Sequence, residues 1–172
     1  AALGSPNIDC RQDGARLDAK LRASYVLNST IAGIETAGAC LLIGTDPRRE
    51  APLLNARLRK RALQGAFPVG VIGPRVELTY GTEYLGAGPP TLAEMAVGGH
   101  PFFEVLEAAE RPMLIVGQGA VARPDGADVL GSARAIAEAC GMVSDGWNGF
   151  NVLHTAAARV GGLDLGLVPA DG

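Results

Sequence analysis

The stretch that decides the fold is Ala39-Cys40-Leu41-Leu42-Ile43-Gly44, followed by Thr45-Asp46-Pro47. A short apolar run closed by a glycine and a turn reads as a strand buried on both faces. Pro52 then suits a first helical turn, where a missing N–H costs least, and Leu54, Leu58 and Ala62 recur at four-residue spacing on one helix face. Gly65 ends that helix. Phe67-Pro68-Val69-Gly70-Val71-Ile72-Gly73 supplies the next strand, with Pro68 confined to a strand entry or an edge. Strand, helix and strand in this order predict a right-handed βαβ unit, because parallel neighbours need a crossover long enough to hold a helix.

Outward from this unit, the glycine-rich connection from Gly73 to Pro90 reads as a surface loop carrying Tyr80 and Tyr84. Thr91-Leu92-Ala93-Glu94 has the spacing of a capping box opening a short helix, and His100-Pro101-Phe102-Phe103 leads into another that ends near Glu110. Met113-Leu114-Ile115-Val116-Gly117 is a third buried strand. Asp125 and Asp128 open a helix with Val129, Leu130, Ala133, Ile136, Ala137 and Cys140 on one broad face. After Gly141, Gly146 and Gly149, the spacing predicts a last helix with Leu153, Ala156, Ala157 and Val160 inward and Gly161-Gly162 as its stop. Residues 23–31 suit either a helix or a strand. The whole predicts an α/β, Rossmann-like three-layer fold with a mostly parallel sheet and one edge strand that the sequence does not announce. It divides into a lead-in over 1–38, an α/β domain over 39–162 and a tail over 163–172.

Composition narrows the functional classes. In 172 residues, 48% are hydrophobic and 24 are glycine, against one Trp, three Tyr and four Phe. That balance excludes a disordered chain and fits tight helix-sheet packing with many turns. A net charge of -3 excludes a basic nucleic-acid domain. The charge is divided: residues 1–86 hold 11 basic and 8 acidic groups, residues 87–172 hold 4 and 10. Cys10, Cys40 and Cys140 form no paired spacing, which fits a reducing compartment, and no apolar run reaches the length of a membrane span. A start at Ala1 without methionine fits a piece of a longer chain, and removal of an initiator or a propeptide would leave the same trace.

Several motifs invite a chemical reading. Gly117-Gln118-Gly119-Ala120-Val121-Ala122 fits G-x-G-x-x-A after a strand. Pro124 and Asp125 place the helix start several residues later, and no acidic residue follows at the ribose-binding distance. Tight packing and nucleotide contact both remain open for it. Gly44-Thr45-Asp46-Pro47 sits where ligand loops form in open parallel sheets, and Asp46 equally suits a turn cap. Gly44, Thr45, Asp46, Gly117 and Gly119 are thus the pocket candidates. Arg48, Arg49, Arg57, Arg59, Lys60 and Arg61 concentrate positive charge, and Arg57, Arg59, Lys60 and Arg61 are the candidates for touching an acidic partner. No catalytic residue and no metal ligand is expected: the cysteines, His100 and His154 show no ligand spacing, the serines sit in no nucleophile elbow, and Glu104 with Glu107 suits a solvated helix face. Trp147, Cys140 and His154 are expected to pack or to hydrogen-bond.

In order along the chain, a set of stretches carries a resemblance. They are Gly4-Ser5-Pro6-Asn7 with Asp9-Cys10-Arg11-Gln12-Asp13-Gly14, Thr30-Ile31-Ala32-Gly33-Ile34-Glu35, and Leu42 to Arg48 with Glu50-Ala51-Pro52-Leu53 and Asn55-Ala56-Arg57. Leu78-Thr79-Tyr80, Gly99-His100-Pro101-Phe102, Asn151-Val152-Leu153-His154 and Leu163-Asp164-Leu165-Gly166 continue it. Together they resemble the molybdopterin-oxidoreductase-like C-terminal region of the large iron-sulfur subunit of NADH:quinone oxidoreductase, respiratory complex I.

The resemblance implies an α/β relic of a cofactor fold that serves as a scaffold and contacts other peripheral-arm subunits. It implies no cofactor in this segment, the 2Fe-2S and 4Fe-4S clusters being held by an N-terminal portion, and no contact with nucleic acid or insertion into the membrane. It also implies a place on the cytoplasmic side of a bacterial inner membrane, or on the mitochondrial matrix side. Gly44 to Pro47 resembles a molybdopterin dinucleotide contact of the enzyme relatives. Ile72-Gly73-Pro74-Arg75 resembles their strand followed by Asp-Pro-Arg, with Gly73 in place of the aspartate, which weakens a contact to the guanine. The alternative is a nucleotide- or molybdopterin-binding domain of a soluble oxidoreductase.

Overall fold

The computed structural model describes Ser5 and residues 7–169, so Gly4 and Pro6 of the first matched stretch and residues 170–172 of the tail lie outside it. A 3-10 turn at Arg22–Ser24 and the helix α1, Thr30–Gly33, precede β1, Ala39–Ile43. The helices α2, Pro47–Glu50, and α3, Pro52–Ala62, lead to β2, Val69–Ile72, and β3, Glu83–Gly86. Next come α4, Pro89–Ala96, α5, Phe102–Glu107, and β4, Pro112–Val116. The chain closes with α6, Gln118–Val121, α7, Gly126–Ala139, the short strands β5, Val143–Ser144, and β6, Trp147–Asn148, then β7, Phe150–Val152, and α8, Arg159–Asp164.

Five strands form one parallel sheet in the order β3-β2-β1-β4-β7. Because β1 is central, both its faces are covered, and its residues divide by alternation. Leu41 and Ile43 join Leu114, Val116, Phe102, Leu106 and the inward side of α7 in one core. Cys40 and Leu42 join Val69, Val71, Ile115, Leu54 and Leu58 in the other. These two cores are the three-layer architecture expected from the apolar runs. Leu58 is fully buried, so its truncation to Ala would cost about 2–5 kcal/mol. The lead-in belongs to the same body: Ala15, Leu17 and Tyr25 enter the first core, and Leu27 bridges to Asn151.

Four expectations need correction. The Gly73 to Pro90 connection contains β3, which pairs along one side only and shows no apolar run because its residues are partly or fully exposed at the sheet edge. The helix opened by Thr91 instead starts at Pro89, with Gly88 as its cap and no side-chain cap bond. The last third folds as β7 and then α8, with Gly161 and Gly162 inside α8. Gly162 serves close approach there, since a Cβ would lie 2.7 Å from Cys10 Cβ. The glycine turn after β4 feeds a helix at once, although α6 has only four residues.

Candidate functional site

The chain steps outward from β1 to β2 and β3, then returns to β4 on the other side of β1. The carboxyl ends of β1 and β4 therefore flank a switch point, where open parallel sheets form their ligand crevices. Gly117 N donates to Ile43 O at 2.9 Å, and Gly44 N to Ile72 O at 2.8 Å. The two glycine loops singled out in the sequence thus converge. Gly44 has φ +56°, and a Cβ there would lie 2.7 Å from Ala120 Cβ. A Cβ on Gly117 would lie 2.4 Å from Gly44 O and 2.7 Å from Thr45 Cβ. Backbone meets backbone here, and only glycine permits it.

Of the five pocket candidates, Gly44 and Gly119 line a cavity of about 250 Å³ with Ile43, Ile72, Pro74, Leu92 and Arg123 among its walls. Gly117 and Thr45 lie behind the wall. Thr45 is 1% exposed and its Oγ1 has no hydrogen-bond partner among the described residues. Asp46 turns away and caps α2: its carboxylate accepts from Arg48 N at 3.1 Å, while its own N donates to Glu50 Oε1 at 2.7 Å. This reciprocal pair satisfies two backbone N–H groups as a capping box does, with Glu50 one position later than the usual third helical residue. Beyond it, Arg48, Arg49 and Arg75 border an open groove, with Arg75 stacked 3.9 Å over the Tyr84 ring.

A pterin dinucleotide, the group the resemblance associates with these loops, needs several polar contacts in a crevice larger than this one. Among the described residues, Arg123 is the one charged side chain on the cavity wall, and it is engaged in a two-pronged pair with Asp125 at 2.7 and 2.8 Å. The unpartnered Thr45 hydroxyl is buried and is not on the cavity wall. These residues do not fit that group.

On the other side of the switch point lies a polar cluster that the sequence did not disclose. Arg159 is 2% exposed and donates to Asp13 Oδ2 at 2.9 Å and to Gln118 Oε1, while Gln118 Nε2 donates to Leu153 O. His154 Nε2 meets Tyr25 O, and Tyr25 Oη donates to Asp164 at 2.7 Å. Partial burial is the largest single influence and would raise the Asp13 carboxyl, but the Arg159 guanidinium and the Ala15 N–H together outweigh it and hold the group below its ordinary value. Burial lowers His154, which disfavours the charged form of the ring. The arrangement ties the lead-in to α6, to the residues after β7 and to α8. Arg159 escaped notice because the supposed final helix put Ala156, Ala157 and Val160 inward and left position 159 facing solvent.

The four basic candidates divide. Arg61 donates to Ala37 O at 2.8 Å and to Gly65 O at 2.9 Å, and stacks on Phe67. Arg57 and Lys60 share Glu35 at 2.5 and 2.6 Å. Arg59 is exposed on a different stripe of α3. Trp147 Nε1 donates to Pro112 O at 2.9 Å. Cys40 is buried in β1, and burial followed by the nearby Glu107 pushes the Cys140 thiol up to about 11. Among the described residues, no three His, Cys, Asp or Glu side chains gather as a metal site, and no helix is long and apolar enough to cross a membrane.

Comparison with known proteins gives these features a family. The chain is 44% identical over 167 residues to the mitochondrial NADH dehydrogenase [ubiquinone] iron-sulfur protein 1 of Solanum tuberosum, covering 97% of this chain and 23% of that protein. It is 43% identical over 161 residues to the NADH-ubiquinone oxidoreductase 75 kDa subunit of Reclinomonas americana, covering 94% and 23%. Against a bacterial relative, an NADH-quinone oxidoreductase subunit of Rickettsia conorii, it is 43% identical over 164 residues, covering 95% and 24%. The chain therefore spans about a quarter of the length of these relatives. A solved structure of the formyltransferase/hydrolase complex of Methylorubrum extorquens with methylofuran is similar at a TM-score of 0.51 and 18% identity, over 84% of this chain and 46% of that one, a likeness of fold alone. The family model for molybdopterin oxidoreductase matches residues 1–172, and with the parallel sheet and its paired glycine loops in view, the chain belongs to the molybdopterin oxidoreductase family.

Proposed function

We propose that this chain is a structural and subunit-contact part of the large iron-sulfur subunit of NADH:quinone oxidoreductase and carries out no chemistry of its own. The observation that carries the reading is identity of 43–44% over 94–97% of the chain to proteins of that assembly. The crevice supports it. The cavity of about 250 Å³ has mostly apolar walls, and the one charged side chain on them among the described residues, Arg123, is already paired with Asp125. The parent assembly passes electrons from NADH to quinone and couples this to proton translocation. Its 2Fe-2S and 4Fe-4S clusters are held outside this segment. The chain sits in a peripheral arm, on the cytoplasmic side of a bacterial inner membrane or on the mitochondrial matrix side, among other arm subunits, with no nucleic acid and no membrane insertion. The basic run of α3, Arg57, Arg59, Lys60 and Arg61, supplies its contact surface.

The test is chemical analysis of the purified protein with a binding assay against the other peripheral-arm subunits. The expected result is no iron-sulfur absorption, no molybdenum and no NADH oxidation by residues 1–172, together with stable association. Stoichiometric pterin or nucleotide, lost on replacing Asp46 or Gly119, would favour the alternative of a cofactor-binding oxidoreductase domain. Convergence of the two glycine loops is the feature that keeps that alternative worth testing.

A further inference from the structure

Helix α3 buries Leu54 and Leu58, while Leu53, Ala56, Arg57 and Lys60 form an outward stripe at the three- and four-residue spacing of one helix face. Leu53 is 77% exposed, and Ile31 beside it on α1 is 45% exposed. Together these five residues line a groove of about 380 Å³ with an apolar floor, two cations and, among the described residues, no acid on its walls. Glu35 stands behind the cations and binds both, at 2.5 Å from Arg57 and 2.6 Å from Lys60. One carboxylate against two cations leaves a surplus positive charge. The bonds to Glu35 also fix where that charge points, so a ligand meeting it loses less side-chain entropy than it would on free lysines and arginines.

We infer that this groove between α1 and α3 docks an acidic segment of a neighbouring protein subunit, with an apolar side chain on Ile31 and Leu53 and carboxylates against Arg57 and Lys60. The inference rests on the assembly reading above and deepens it, by moving the contact from the whole basic run to these five residues. Arg61 is spent on backbone carbonyls. A second copy of the chain is a poor occupant, since a two-fold contact would set these cations against their own kind with no acid on the groove wall to answer them. An acidic partner segment satisfies both parts: the apolar floor supplies the anchor and the complementary charge sets register and orientation.

The experiment places a photoreactive amino acid at Leu53 in the complete subunit within its native assembly and identifies the adduct by mass spectrometry. The expected result is one major adduct, in a different subunit, on a peptide with at least two Asp or Glu near the attachment point. The paired change Arg57→Glu and Lys60→Glu should lower its yield about tenfold, the equivalent of about 1.4 kcal/mol. An adduct in a second copy, a basic peptide, a nucleic acid or a lipid would overturn the proposal, as would no adduct at all. If the charge-reversed protein fails to assemble, the composition of the adduct peptide in the otherwise unchanged protein still decides. Co-purification is read separately. A subunit that isolates without NADH:quinone oxidoreductase subunits sinks the assembly reading, whereas an intact assembly with no acidic adduct sinks only the groove.

Discussion

The two sides of the switch point close the carboxyl end of the sheet by opposite means. Between β1, β2 and α6 the closure is backbone against backbone, through Gly44, Gly73 and Gly117, with small apolar walls. Between α6, α8 and the lead-in it is a buried polar cluster, Arg159 with Asp13 and Gln118. The first arrangement tolerates no added atom, and the second no lost partner. A crevice built to grip a charged ligand would leave its polar groups aimed into the open space. Here Arg123 is paired with Asp125 and Arg159 with Asp13, so neither charge on the two sides of the switch point is aimed into the cavity.

This contrast breaks most severely at Arg159. Arg159→Met would strand Gln118 and Asp13, and we expect a loss of about 3 kcal/mol, at the low end for a broken buried pair because Asp13 keeps 30% exposure. Denaturant unfolding measures it; a loss under about 1 kcal/mol would show that the cluster does not hold the lead-in. On the glycine side, Gly117→Ala sets a Cβ 2.4 Å from Gly44 O, and overpacking of this kind costs about 1–3 kcal/mol. A neutral result by the same assay would mean that the crevice is looser than its geometry.

Smaller effects sharpen the comparison. Asp46→Ala removes the α2 cap and should cost about 1 kcal/mol without altering the polar cluster. Were Asp46 a ligand contact instead, stability would hold and binding would suffer. For pH the sign is the same for every group, and only the range in which it acts differs. His154 is lowered from 6.5 by burial, so its contribution is full above 6.5 and is lost as pH falls through its folded value. Asp13 and Asp164 are lowered from 3.8 and Glu35 from 4.5, so theirs is full above those values and is lost below them. Thermal melts should decline gently below pH 6.5 and steeply below about 4. His154→Asn should remove the first decline alone. Last, Leu53→Asp should change stability by less than about 0.5 kcal/mol, because the side chain is 77% exposed, while weakening subunit contact.

The sequence disclosed the central elements because β1, β2 and β4 are buried on both faces and must be written in apolar runs. It hid the edges for the same reason. β3 has solvent beside it and reads Glu83-Tyr84-Leu85-Gly86, and β7 is three residues with Asn151 at its centre. Asn151 is tolerated there because it donates to Leu114 O and Gly149 O and accepts from Ser29. The false final helix arose from Leu153, Ala156, Ala157 and Val160, whose spacing is helical by coincidence across a turn. At the candidate site, the glycines marked both loops, but which of them face a cavity depends on the strand order, which no local pattern records. Arg159 and Asp13 are 146 positions apart, and only the folded chain brings them together.

Gly119 offers the most direct test of the scaffold account. It lines the cavity, and a Cβ there would meet nothing nearer than Gly44 O at 3.8 Å, so Gly119→Leu fills the crevice without a clash at the Cβ. The measurement is NADH:quinone turnover by the purified native assembly carrying this change in its complete subunit. The scaffold account predicts turnover within about twofold of the unchanged assembly, whereas a fall beyond about tenfold at equal assembly yield would contradict it and make the crevice a working site.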